Sequence, residues 1–513
     1  MTITPTYPGV YVTEVPSGSR TVTGVATSVT AFVGRAMRGP VDEPAPISSF
    51  SEFERIFGGL WRGSGLGYAV RDFYLNGGGA AILVRVAKGA DTATLTVDSL
   101  TLEAYGPGEW ANALQVVVEH PDATDAADIA AGQGAGVDAD DLFTMVVSEG
   151  EGPDARSETY RNVTVVEGPQ QITHMLQSSR VVRVTGAPGT TRPAEATYTV
   201  ATTDEGSDGD APDLDSYNGT DFATLKRGIF ALEKTDLFNI LCLPPPTPAG
   251  NLPSDLWADA AAYCVTRRAF LVVDSTATLS VADAETWPAD VGLTGLNNRN
   301  AALYYPRIKR PDPLRGGAVD SFAACGAIAG LMARTDSTRG VWKAPAGTEA
   351  GLAGVTDLAV SLTNDENGRL NQKGVNCIRS FREIGPVVWG ARTLRGADVL
   401  SDDYKYVPVR RLALFLEESL YRGTQWVVFE PNDAPLWSQI RTSLGAFMQD
   451  LFRRGAFQGT TPREAFFVKC DAETTTQYDI DRGVVNIQVG FAPLKPAEFV
   501  IISIQQKTAA ASV

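Results

Sequence analysis

The chain has 513 residues, 44% hydrophobic and 20% charged, the balance of a folded protein with two to four domains and not of a disordered one. No apolar run reaches about 18 residues, the length that spans a bilayer, and "MTITPTYPGV" lacks the basic and apolar regions of a secretory leader, so cytoplasmic synthesis is expected. The formal charge of −16 is uneven: residues 91 to 221 hold 24 Asp and Glu against five Arg and no Lys, and such an acidic segment excludes the basic face that nucleic-acid binding needs.

In chain order, the first β-prone run is Val10, Tyr11, Val12, Thr13, Glu14 and Val15, bounded by Pro8-Gly9 and Pro16-Ser17-Gly18. "GVATSVTAFVGRA" predicts a strand. "SSFSEFERIFGG" predicts a helix with a capping box from Ser51 to Glu54 and a stop at Gly58-Gly59. In "LGYAVRDFYLNGGGAAILVRV", apolar residues at helical spacing and a glycine cap precede a buried strand, Ala81 to Val86. Between about 91 and 215, the β-prone pieces "LQVVVEH", "LFTMVVS", "ETYRNVTVV" and "RVVRV" alternate with acidic loops such as "DATDAADIAAGQGAGVDADD", which predicts an inserted, mostly β domain. Strand and helix signals then resume: "FATLKRGIFALEK" as a helix, "LFNILCLP" and "AFLVVDS" as buried strands, "AALYYPRI" as another, and "SFAACGAIAGLMAR" as a small-residue helix. Short apolar strands separated by helices predict a largely parallel, doubly wound sheet.

From about residue 376, "NCIRSF" and "PVVWGARTL" read as a hairpin around "REIG". "VRRLALFLEESLYRG" is a helix, "WVVFE" a strand, and "APLWSQIRTSLGAFMQDLFRRG" the clearest helix of all. "VVNIQVGFAP" alternates as a half-buried strand. Phe499, Val500, Ile501, Ile502, Ser503 and Ile504 form a last strand that needs a partner. From sequence alone, that partner is an ordinary strand of the same chain.

Chemistry is scarce. The two histidines, His120 and His174, both fall in the insert, away from the α/β core where a catalytic triad or metal centre would be built. Asp274, ending "FLVVDS", is the best enzyme-like residue, with a strand-end carboxylate capping a turn as its plainer interpretation. "GSGLG" has the wrong spacing for a dinucleotide loop, "NGGGAAILV" the wrong order for a phosphate cradle, and "DEGSDGDAPDLD" lacks the spacing of a calcium loop. Cys242, Cys264, Cys325, Cys377 and Cys470 lie far apart, as buried free thiols would. No catalytic residue, cofactor or metal site is predicted.

"YPGVYVTEVPSG", "FYLNGGGAAILVRV" and "GEWANALQVVV", then "LNQKGVNCIRSF", "VVWGARTL", "YKYVPVRRLALFLEESLYRGTQWVVFEPNDAPLW" and "APLKPAEFV", together closely resemble the tail sheath proteins of contractile injection systems: contractile phage tails, R-type bacteriocins and phage-tail-like particles. The resemblance covers residues 1 to about 118 in patches and about 216 to 506 nearly throughout, and it is weak across 119 to 215. Ala111 stands where the family more often has glycine.

The resemblance implies an α/β fold: a doubly wound sheath domain of subtilisin-like topology (21–90 with 216–375), an inserted acidic β-rich outer domain (91–215) and an α+β inner domain (376–495). Exchange arms at 1–20 and 496–513 would flank these. It implies stacked hexameric rings around an inner tube, with baseplate and tail-terminator or cap proteins as partners. It assigns Val10 to Val15 and Phe499 to Ile504 to strand exchange between subunits. Arg441, Asp450, Arg453 and Arg454 become the candidate tube contact, and neither nucleic acid nor membrane insertion enters. The competing expectations are an α/β hydrolase using Asp274, or a binding module acting through the acidic insert.

Overall fold

A strand that is apolar on both faces must be covered on both, and the apolar runs of this chain therefore dictate helices above and below a sheet. The computed structural model describes residues 20–133, 136–150 and 156–502; Val10 to Val15, Ser503 and Ile504 lie outside them. Packing divides the chain into a larger unit, Thr27–Arg339 with Ala344–Val407, and a smaller one, Met1–Ala26 with Gly340–Lys343 and Pro408–Val513.

The larger unit opens with β1 (Thr30–Gly34), β2 (Ala45–Ile47), α1 (Phe50–Phe57), α2 (Leu66–Leu75) and β3 (Ala81–Arg85). The cap of α1 sits two residues before the predicted box. The Ser49 hydroxyl accepts the Glu52 N–H at 3.2 Å, and the Glu52 carboxylate accepts the Ser48 N–H at 3.0 Å. This start puts Phe53, Ile56 and Phe57 on the buried side, and Gly58 ends the helix at φ 91°. Asn76, not a glycine, caps α2.

The insert follows as β4 (Thr94–Val97), β5 (Leu100–Ala104), β6 (Leu114–Glu119), α3 (Ala123–Gln133), β7 (Phe143–Glu149), β8 (Arg156–Val163), β9 (Val182–Val184) and β10 (Ala196–Thr199). Its sheets, β4-β5-β9 and β10-β6-β7-β8, are antiparallel and enclose a core that includes Leu102, Val116, Met145 and Val147. The predicted loop at 122–141 contains α3 instead. Its alanines favour helix, and Ala126 and Ala130 bury against Leu142.

After the insert come β11 (Ile240–Cys242), α4 (Leu256–Thr266), β12 (Phe270–Asp274), β13 (Ala301–Tyr305), β14 (Ile308–Asp312), β15 (Ala318–Phe322), α5 (Cys325–Arg339), β16 (Asp357–Leu358), α6 (Asn364–Gln372), β17 (Val375–Phe381) and β18 (Gly385–Val388). Eight strands make the main sheet in the order β18-β17-β13-β12-β11-β1-β3-β2. The six from β17 to β3 are parallel; β18 and β2 are antiparallel edges. The predicted hairpin is therefore part of this sheet, whereas the sequence places it in the C-terminal domain.

One face of the sheet puts Phe32 against Phe73 of α2, with ring centroids 5.5 Å apart. The other buries Val33, Leu241 and Leu271 with Trp257 and Ala260 of α4. The small residues of α5 serve a close crossing with α2: a Cβ at Gly326 would lie 1.9 Å from the Ala69 carbonyl oxygen, and one at Gly330 2.3 Å from that of Phe73. The helix predicted through "FATLKRGIFALEK" is broken into Phe222–Leu225 and a 3-10 turn, Gly228–Lys234. Lys226 and Gly228 take φ of 53° and 55°, and the Asp42 carboxylate accepts the Gly228 N–H at 2.8 Å. The break lets Ile229 and Leu232 bury, while Leu225 stays exposed.

The smaller unit holds α7 from Pro408 onward (the helix spans Val407–Gly423), α8 (Ala434–Arg453), β19 (Phe466–Lys469) and β20 (Gln488–Phe491). Asp433 caps α8 by accepting the Leu436 N–H at 3.0 Å. Of the apolar stripe that the sequence spaces along this helix, Trp437, Ile440, Leu444, Phe447 and Leu451 are buried and Phe452 is half-buried. "WVVFE" forms no strand. A 3-10 turn covers Gln425–Val427 instead, packing Trp426 and Val427 on the α8 cluster, and Phe429 projects into solvent.

Candidate functional site

The enzyme-like positions are spent on structure. Asp274 is buried, and its Oδ1 accepts the N–H groups of Ala324 and Cys325 at 2.8 and 2.9 Å, capping the start of α5. Burial pushes its carboxyl up, opposed by the Cys325 side chain, the Arg307 charge and these N–H bonds. Arg307 is itself committed to the carbonyls of Ser275, Pro248 and Gly250.

Strand order reverses between β1 and β11, the place where open α/β sheets bind ligands. Here the chain leading into α2 and the chain after β11 meet closely. Gly65 donates its N–H to the Pro245 carbonyl at 3.1 Å, and a Cβ on Gly65 would lie 2.7 Å from that oxygen. Arg35 stacks 4.6 Å from the Trp61 ring centroid.

His120 and His174 each face a carbonyl inside the insert, of Pro193 at 2.8 Å and Gly168 at 3.2 Å. The five cysteines are buried and free, and no cluster suited to a metal ion occurs among the described residues.

Three arginines that sequence patterning passes over fasten the insert. Arg35 donates to the Asp208 and Gly209 carbonyls at 2.8 and 2.7 Å, Arg38 pairs with Glu149, and Arg85 donates to the Pro107 carbonyl at 2.7 Å. Burial lowers the Arg85 guanidinium to about 10. In the calcium-like loop, Asp208 accepts the Glu109 N–H at 3.0 Å, and Asp213 pairs with Lys88 at 2.6 Å and caps Ser216.

Two exposed surfaces lie in the smaller unit. Phe499, Val500, Ile501 and Ile502 are 75%, 82%, 90% and 79% exposed and join no strand of their own chain among the described residues. Among the described residues, β19 and β20 form a sheet of two strands with two outer edges. Of the four charged positions on and after α8, Arg441 turns inward to donate to the Cys470 carbonyl. Asp450, Arg453 and Arg454 are exposed; Arg454 lies 3.9 Å from Asp450 and 5.5 Å from the Trp342 ring centroid.

The chain matches the profile described as phage tail sheath protein central domain over residues 228–394, and that of the phage tail sheath C-terminal domain over 400–507. It is 26% identical over 242 residues to a tail sheath protein of Vibrio phage KVP40, covering 45% of this chain and 35% of the relative. It is 30% identical over 156 residues to that of Enterobacteria phage T4, covering 30% and 22%. The chain thus aligns with about a third or less of these curated relatives. The anti-feeding prophage helical sheath in its contracted state superposes with a TM-score of 0.59 at 24% identity, over 98% of this chain and 100% of that one. With two sheath profiles together spanning more than half of its length, the chain belongs to the phage tail sheath protein family.

Proposed function

We propose that this chain is the subunit of a contractile sheath, in which copies stack as hexameric rings around an inner tube, meet baseplate and tail-terminator or cap proteins, and contract to drive the tube through a target envelope. Assembly takes place in the cytoplasm and needs no cofactor, nucleic acid or membrane insertion. The observation that carries this proposal is the exposed apolar run Phe499–Ile502 in a unit whose own sheet has two outer edges. Each copy donates that run, and its Val10 to Val15, to sheets of neighbouring copies. The doubly wound, subtilisin-like topology belongs to the same proposal, supported by six parallel strands covered on both faces. Negative-stain imaging of the purified chain tests it: striated cylinders are expected, and uniform monomers under all assembly conditions would overturn it.

The acidic insert decorates the outside of the cylinder, because a segment of 23 acidic and five basic residues repels its own copies unless it is held in water. A chain joining Gly89 directly to Ser216 is expected to form sheaths. It should melt below the intact chain, because Arg38 and Arg85 lose Glu149 and the Pro107 carbonyl, and adding Arg38→Leu should recover part of the loss. A folded deletion that makes no sheaths would place the insert at an essential interface.

The tube-facing surface is the charged end of α8. Exposed charges release readily, as a contact broken during contraction requires. With Arg441 held internally, Asp450, Arg453 and Arg454 carry the contact. Reversing Arg453 and Arg454 to Glu should reduce tube-templated assembly in a salt-dependent way and leave the melt unchanged. Unaltered assembly across several salt concentrations would remove this assignment.

A further inference from the structure

We propose that Phe429 is a docking post for the root of this chain's own N-terminal segment, and that Pro16 closes over its ring. The post governs where that segment leaves its subunit, and it stands whether or not the run Val10 to Val15 is donated to another copy.

Phe429 is fully exposed, and its backbone takes φ 71°, a left-handed conformation in which a bulky residue is an outlier. An idle turn would carry glycine there. This one is pinned instead. The Glu430 N–H donates to the Val427 carbonyl at 3.1 Å, the Thr424 hydroxyl to the Leu420 carbonyl at 2.9 Å, and the Asn432 side-chain amide to the Val484 carbonyl at 2.9 Å. The turn thus holds an aromatic ring outward at a cost in backbone strain, which is how contact anchors are presented.

The path of the chain says what reaches the ring. Residues 20–25 are strapped to the same unit: the Val25 N–H donates to the Ser419 hydroxyl at 3.2 Å, a Cβ on Gly24 would lie 2.9 Å from a Phe415 ring carbon, and one on Gly423 would lie 2.6 Å from a Val22 methyl. The strap ends at Arg20, whose guanidinium stands 5.0 Å from the Trp426 ring centroid and 3.9 Å from the Glu430 carboxylate. Trp426 and Glu430 bracket Phe429 in the turn. Residues 1–19, outside the described ones, therefore begin beside the post.

Back from Arg20, the residues Ser19, Gly18 and Ser17 offer nothing apolar, and Pro16 is the first that does. An extended chain covers at most about 14 Å over those four steps, and Arg20 already touches the neighbour of Phe429, so the ring lies within reach. A tether this short presents Pro16 at an effective concentration of about millimolar or more, ahead of a second copy. Proline also fixes its own φ, so seating it orders fewer torsions than seating another residue.

The test uses the full-length chain below its polymerising concentration. Arg20 is the first basic residue of the sequence, so tryptic release of residues 1–20 reads the opening of the root. Phe429→Ser is expected to speed that release about tenfold with an unchanged melt, and Phe429→Leu to restore most of the protection. Phe429→Gly, which relieves the left-handed strain, should lose the protection as Phe429→Ser does while melting no lower than the parent. A short bis-maleimide should join Phe429→Cys to Pro16→Cys within one chain, several-fold faster than it joins Phe429→Cys to Ile3→Cys, and the native thiols, all buried, stay out of the reaction. Unchanged release in Phe429→Ser, or equal cross-linking at both positions, would overturn the seat. Cross-links formed only between copies would overturn its assignment to the chain's own segment and give the post to a second copy.

Discussion

Deleting residues 498–513 is expected to give a folded subunit, melting as the intact chain does, that no longer polymerises; deleting residues 1–15 should do the same. The described part of the C-terminal segment, Phe499–Ile502, is 75% to 90% exposed, so its removal takes little from its own subunit. In a neighbour's sheet it gains backbone hydrogen bonds worth roughly 0.5 to 1.5 kcal/mol each. Burial of its Val and Ile side chains adds about 1.5 to 3 kcal/mol apiece. Ordering costs about 1 to 2 kcal/mol per residue, so a single arm holds weakly. A closed lattice of such arms holds firmly, because each link makes the next one effectively intramolecular. Electron microscopy beside thermal melts reads the outcome. Well-formed sheaths without either arm contradict the exchange, and a collapsed melt assigns the strand to its own subunit's core.

The second large effect is on stability. Arg310 of β14 lies 3.0 Å from Asp72 of α2, with side chains 3% and 2% exposed. The guanidinium also rests 4.5 Å from the Phe322 ring centroid and 5.3 Å from that of Tyr68. Asp72→Asn leaves a buried cation without its counter-charge, and a loss of about 3 to 5 kcal/mol is expected. Asp72→Leu with Arg310→Met should recover most of it, since two apolar groups replace two desolvated charges. Burial lifts the Asp72 carboxyl from 3.8 to about 6, against the pull of Arg310 and Arg71. The folded chain therefore holds a proton between about pH 4 and 6 that the unfolded chain has released. The contribution of this group to stability accordingly falls as pH rises through that window and is constant above it. Denaturant melts against pH should show this component in the parent and lose it in Asp72→Asn.

Local pattern carries most of the fold. Five of the six parallel strands are legible because each, like Phe270–Asp274, is buried along its whole length, and α8 because its apolar stripe repeats for about four turns. What pattern misses depends on distant partners. The break at Lys226–Gly228 requires the Asp42 carboxylate, 186 residues away, and the anchoring of Arg35 requires a carbonyl 173 residues away. The candidate surface divides in the same way. Phe499–Ile502 announces itself as an apolar run, whereas the commitment of Arg441 to the Cys470 carbonyl, and the ring of Phe467 over Gly490, depend on contacts formed in the folded unit. "WVVFE" has strand composition, but among the described residues only β19 and β20 form a sheet in its unit, and Trp426 and Val427 bury against α8 instead.

The central claim is that copies of this chain are joined by exchanged strands. Cryo-electron microscopy of the assembled chain at a resolution that traces the backbone tests it most directly. Phe499 to Ile502 of each copy is expected to be hydrogen-bonded along the β19–β20 sheet of another; density showing that segment folded back onto its own subunit, or free in solvent between well-ordered rings, would overturn strand exchange.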